Sequence, residues 1–118
     1  MILIAVDDLL FSSKIRAAAR HAGAEIAFAR TPAEILQQAR AVRPPAVIFD
    51  LNGERADPIG TIRAMKADPD LAGITAVGFV SHVHVDLARA AREAGADEVM
   101  ARSAFVASLR EILERHGS

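Results

Sequence analysis

The sequence predicts one α/β domain built on an open, doubly wound parallel sheet with helices on both faces. Three observations predict it. Five short apolar runs alternate with stretches of helical period. The first, third and fourth runs are nearly continuous Ile, Val, Leu, Phe and Ala, as in strands buried on both faces. A chain of 118 residues is too short for the eight units of a closed barrel and suits five βα units with right-handed crossovers.

The elements follow in order. The first strand is Ile2–Val6, and Phe11, Ile15, Ala18, Ala19 and Ala22 then recur on one helix face. The second strand is Ala24–Ala29. Thr31-Pro32-Ala33-Glu34 reads as a capping box with Pro at the first helical position, opening a helix whose apolar face is Ile35, Ala39 and Val42. The third strand is Ala46–Phe49, and a shorter helix after Pro58 carries Ile59, Ile62 and Met65. The fourth strand is Ile74–Val80, followed by a helix with Val83, Leu87, Ala90, Ala91 and Ala94. The fifth is Glu98–Ala101, and Ser103 is the expected N-cap of a last helix striped by Phe105, Leu109 and Ile112. Gly23 and Gly95 fall just past helix ends, where a left-handed residue is needed. Arg20-His21-Ala22-Gly23-Ala24 and Arg92-Glu93-Ala94-Gly95-Ala96 match at four of five positions, and Arg30-Thr31 and Arg102-Ser103 follow at the same interval. Two units solve one geometric problem alike.

Composition narrows the function. Fourteen basic and 15 acidic residues give a net charge of −1, which argues against a nucleic-acid grip by bulk charge and against a polybasic membrane anchor. The absence of Cys excludes disulfides, thiol nucleophiles and Cys-ligated zinc. The first apolar run stops at Val6 without a basic region before it, so neither a signal peptide nor a membrane span is expected, and the expected location is the cytoplasm. Alanine supplies 25 residues while Trp and Tyr are absent, so the core is built of small aliphatic side chains.

In a doubly wound sheet the residues at the carboxyl ends of the strands carry function. The first strand ends in Asp7-Asp8 and the third in Asp50, with Glu54 and Asp57 in the loop beyond. Carboxylates so gathered repel one another, and a hard divalent cation such as magnesium relieves the repulsion. Ser81 ends the fourth strand and could hydrogen-bond an anion held at Asp50. Arg102 ends the fifth, and Arg30 occupies the matching place in the other unit, where no ligand is expected. His82-Val83-His84 offers two imidazoles without a third ligand, so no metal site is expected there. His21 and His116 are expected on exposed helix ends.

Taken together, Asp7-Asp8, Asp50 within Val47-Ile48-Phe49-Asp50-Leu51, Ser81, a basic residue after the fifth strand and Ala94-Gly95-Ala96-Asp97 resemble a response-regulator receiver domain over the whole chain. The resemblance implies a flavodoxin-like five-stranded sheet in order 2-1-3-4-5 and a single receiver domain at 1–118 with no output domain. It implies that Asp50 accepts a phosphoryl group from a histidine kinase or phosphotransfer protein. Asp7, Asp8, Asp50 and the backbone carbonyl of Asn52 would hold magnesium, and Ser81 and Arg102 would contact the phosphoryl group. Its readout would be a protein target bound through the last two helices and fifth strand, with no direct role for nucleic acid or membrane. Enzymatic activity beyond self-catalysed transfer to Asp50 and its reversal by hydrolysis is not expected.

Four features depart from the family pattern. Arg102 replaces its lysine, and the two cations differ in shape and donor geometry. Ser103 replaces the proline that usually follows, Val99 stands where an aromatic switch residue is usual, and His82 where a small residue leaves the phosphate open. The loop after Asp50 reads Asn52-Gly53-Glu54-Arg55-Ala56, from which Arg55 could bridge to Glu54, Asp57 or the acidic site. These departures define an alternative, a degenerate pseudo-receiver acting as a phosphorylation-independent interaction module. A flavin or nucleotide site is excluded, because Asp7-Asp8-Leu9-Leu10 would repel phosphate where such a site needs a Gly- or hydroxyl-rich loop.

Overall fold

The computed structural model describes residues 1–81 and 84–117. Five parallel strands and five helices alternate: β1 (Ile2–Ala5), α1 (Leu9–Ala22), β2 (Ile26–Phe28), α2 (Pro32–Val42), β3 (Ala46–Asp50), α3 (Pro58–Ala67), β4 (Thr75–Val80), α4 (Val85–Ala94), β5 (Glu98–Ala101) and α5 (Arg102–Gly117). The strand order is β2-β1-β3-β4-β5, the flavodoxin-like arrangement.

Strand parity explains the apolar runs. Leu3, Ala5, Val47, Phe49, Ala76 and Val80 face a core completed by Ile35, Ile62, Met65 and Ala91 of α2, α3 and α4. Their neighbours Ile2, Ile4, Ile48, Val77 and Phe79 face the opposite core, completed by Phe11, Ile15, Phe105, Leu109 and Ile112 of α1 and α5. Both faces of β1, β3 and β4 are covered, so neither parity can be polar. The edge strands β2 and β5 are only partly buried throughout, and β2 is shorter than its apolar run suggests.

The caps set where the strand-end loops sit. Asp8 is the N-cap of α1, its Oδ1 accepting from the Phe11 amide at 3.0 Å. Thr31 Oγ1 accepts from the Glu34 amide at 3.2 Å, while Glu34 reaches back to the Arg30 amide at 3.0 Å, one residue earlier than an ideal capping box. That reversed bond pins Arg30 at the end of β2. Ser103 is not the N-cap expected of it. Strand β5 runs into α5 at Arg102 without a connecting residue, which leaves Ser103 exposed inside the first turn. His116 also differs from expectation, lying largely buried with Nε2 at 3.9 Å from Glu98 Oε2.

At the opposite edge of the sheet Lys66 Nζ donates to the carbonyls of Ala72 at 3.0 Å and Ile74 at 2.8 Å and to Asp97 Oδ2 at 2.7 Å. The same Oδ2 accepts from the Ala76 amide at 2.8 Å, so α3, β4 and the turn before β5 are tied at one point. Gly95 lies over this clamp at φ 111°, and a Cβ there would stand 2.7 Å from Lys66 Cγ. Gly23 has a similar left-handed φ of 68° and open space around it. Gly95→Ala therefore carries both backbone strain and a collision with a side chain held in place. It is expected to cost about 1–3 kcal/mol more than Gly23→Ala. Denaturant midpoints of the two variants check this, and equal losses would contradict it.

Candidate functional site

Of the candidate side chains, Asp50 ends β3, Ser81 and Arg102 each stand one residue past β4 and β5, and Asp7 and Asp8 stand two and three residues past β1. Strand β3 is central, and its last residue, Asp50, is half-buried. Its Oδ1 accepts from the Asn52 amide at 3.0 Å, and the Gly53 amide donates to the Asp50 carbonyl at 3.0 Å, closing a tight turn. Asn52 also works through its side chain, whose Oδ1 accepts from the Ser81 amide at 2.9 Å. With the Leu51 amide donating to the Phe79 carbonyl at 2.9 Å, this locks the loop after β3 to the end of β4. Gly78 permits the approach, since a Cβ there would lie 2.9 Å from Leu51 Cδ1.

Burial pushes the Asp50 carboxyl above the ordinary carboxylate value; the Asn52 and Gly53 amides and the Arg102 charge oppose the rise, while the Asp8 charge adds to it. The Phe11 amide and Arg102 hold Asp8 below the ordinary value. Asp50 and Asp8 are therefore close enough to feel each other, and a cation between them would favour both ionised forms.

Arg102 reaches Asp8 rather than Asp50, with Nη2 at 3.5 Å from Oδ2. Its guanidinium lies 4.3 Å above the Phe11 ring and 5.9 Å from that of Phe79. Those rings pack with Phe105 in a cluster whose centroids are 4.4–5.9 Å apart. A planar guanidinium stacks on such a surface where an ammonium would not, which gives a physical reason for Arg at this position.

Asp7 is paired differently. Arg30 Nε and Arg55 Nη1 stand 3.7 and 3.6 Å from the same oxygen, Oδ1. Arg30 thus pairs within the chain, and of the partners open to Arg55 the acidic site is the one it reaches. Among the described residues no three acidic or imidazole side chains converge as a ready metal cage. The donor set nonetheless suits magnesium, which binds through one or two carboxylates and keeps several waters. Asp8 and Asp50 supply hard oxygens at a site where their charges repel, and the Asn52 carbonyl belongs to the same turn.

His82 lies outside the described residues. Val99 is half-buried and borders an open groove of about 240 Å³ with Ser81, His84, Val85 and Ala88. Sequence reasoning missed the side chain of Asn52, the aromatic seat of Arg102 and the pairing of Arg30. The repeat of Arg-hydroxyl after each Gly-Ala turn was the one signal that could have found Arg30.

No protein-family model matches the chain. The fold is that of response-regulator receiver domains. A putative response regulator from Chloroflexus aurantiacus superposes with a TM-score of 0.84 at 23% identity, covering 97% of this chain and 93% of that one. The receiver domain of a Pseudomonas aeruginosa sensor histidine kinase, whose structure has magnesium in its active-site cleft, gives 0.83 at 19% identity over 98% and 94%. The receiver domain of NtrX from Brucella abortus gives 0.81 at 19% over 98% and 97%. In sequence the chain is similar to the transcriptional regulatory protein PrrA of Mycobacterium tuberculosis, 29% identical across 99% of this chain and 51% of that protein. PrrA of Mycobacterium leprae is 27% identical over the same shares. The chain spans about half the length of the curated relatives it matches.

Proposed function

We propose that the chain is a phosphoacceptor receiver domain of two-component signalling and that Asp50 is the acceptor. The observation that carries this reading is the Asp50 carboxylate itself. It stands half-buried at the end of the central strand, beside a second carboxylate, on a loop tied to β4 through Asn52 and Ser81. An oxygen of Asp50 attacks the phosphorus of the donor in line; the bond from phosphorus to the donor nitrogen or oxygen breaks, and its electron pair leaves with the donor. The site needs only to orient the donor and neutralise charge.

Asp8, Asp50 and the Asn52 carbonyl, joined by Asp7, would hold a magnesium ion. When bound, it neutralises phosphate oxygens and aligns the transfer. The acyl phosphate brings roughly −1.5 to −2 charge to the end of β3. Ser81 would bond it, and because Asn52 binds the Ser81 amide, a shift on one side of that bond would be felt on the other. Arg102 stands close enough to act on Asp50 through its charge and would turn from Asp8 toward the added phosphate.

The donor would be a histidine kinase or phosphotransfer protein, and the target would bind through α4, β5 and α5. The domain would signal without turnover of a separate substrate. Among the described residues no helix is long and apolar enough to cross a membrane. The alternative of a phosphorylation-independent module is not favoured, since Asp50 ends β3, Asp7 and Asp8 follow β1 within three residues, and the relatives are regulatory proteins.

Incubation with a small phosphodonor and magnesium, followed by intact mass measurement, tests the reading. One phosphoryl adduct is expected on the parent and none on Asp50→Ala. No adduct on the parent would contradict it.

A further inference from the structure

The strand-end site carries its own counter-ions. Asp7 pairs with Arg30 and Arg55, and Asp8 pairs with Arg102, whose charge also acts on Asp50. Arg102 is seated on aromatic rings beside Asp8, but Arg30 and Arg55 converge on one oxygen of Asp7 from two different loops, one after β2 and one after β3. The Arg30 backbone is fixed by its bond to Glu34. A divalent cation needs that oxygen as a ligand or as a source of field, and two guanidinium groups already occupy its surroundings.

Resting on the phosphoacceptor reading, we infer that Arg30 and Arg55 hold Asp7 out of the cation's ligand set and thereby set how tightly the site binds magnesium. The cation engages Asp8 and Asp50 first and recruits Asp7 only as the two arginines release it. The pairs are loose, at 3.6 and 3.7 Å, and their side chains are about half exposed. Each is therefore weak enough to be displaced, so the device tunes affinity rather than closing the site. Charged groups a few ångströms from a divalent ion in screened water act over about three- to tenfold in affinity apiece.

Titration calorimetry of the full chain with magnesium chloride tests this. Arg30→Ala and Arg55→Ala are each expected to tighten binding about three- to tenfold at low ionic strength, with a smaller gain at high salt. Arg40→Ala, a remote arginine paired with Asp68 at the far end of α2, is expected to leave the affinity unchanged. Asp7→Asn closes the cycle, with little cost expected in the parent and a loss of most of the gain in the double arginine variant. Unchanged or weaker binding in the double variant would overturn the inference, as would a gain that survives intact in Asp7→Asn.

The phosphoryl adduct measured on the same samples separates the two readings. An adduct with unchanged cation affinity overturns this inference alone. Tighter magnesium binding in the variants with no phosphoryl adduct on the parent supports this inference and overturns the phosphoacceptor reading.

Discussion

Lys66→Met is expected to lower stability by about 2–3 kcal/mol, seen as a melting temperature roughly 8–12 °C below the parent. The ammonium group is mostly buried and donates to the carbonyls of Ala72 and Ile74 and to Asp97, and methionine keeps the stem while removing all three donors. The Asp97 carboxylate would keep only its bond from the Ala76 amide. It is half exposed, so water recovers part of the loss, and the figure is accordingly below that of a fully buried pair.

The loss has a pH signature. Burial pushes the Asp97 carboxyl up, but the Lys66 hydrogen bond, the Ala76 amide and the Lys66 charge together outweigh it and hold the group below its ordinary value. A depressed carboxylate contributes stability that is complete above its unfolded value, about 4, and lost as pH falls through the folded one. The gap between parent and Lys66→Met is therefore expected to narrow on acidification below about pH 4. Thermal melts across that range check it, and a gap that stays constant would contradict the role given to Asp97.

Asp50→Asn has the opposite sign for stability and the largest effect on function. Burial raises the Asp50 carboxyl, so the native state resists ionising it. The parent then loses stability as pH rises from about 4 through the folded value, a loss the isosteric amide does not suffer. Asp50→Asn is expected to melt a few degrees above the parent at pH 7, with the difference fading toward acid pH, and to accept no phosphoryl group. A gain in stability coupled to complete loss of the adduct is what a site strained for function shows. Equal melting temperatures at pH 7 would mean that burial of Asp50 costs the fold nothing.

The order of elements was legible because β1, β3 and β4 are covered on both faces, leaving runs such as Ile2–Ala5 without a polar residue. Edge strands were read less well. Strand β2 is only partly buried and ends at Phe28, where the apolar run continues to Ala29. The aspartates were legible because a parallel sheet places function at strand ends and the residues there are conspicuous after apolar runs.

What the sequence hides is the direction of long side chains across loops. Arg30 and Arg55 come from two loops and Arg102 from the start of α5, and only the folded chain shows that all three turn to the aspartates. Asn52 was read for its carbonyl, whereas its side chain ties two loops together. Ser103 was misread because a cap assumes a connecting residue, and β5 and α5 abut without one.

The central claim is that Asp50, and no other strand-end carboxylate, receives the phosphoryl group. Reduction of the phosphorylated chain with borohydride, followed by peptide mapping, tests it most directly, because hydride converts an acyl phosphate on aspartate to homoserine. The account predicts homoserine at position 50 alone, with Asp7 and Asp8 recovered unchanged. Homoserine at either of those positions, or at none, would contradict it.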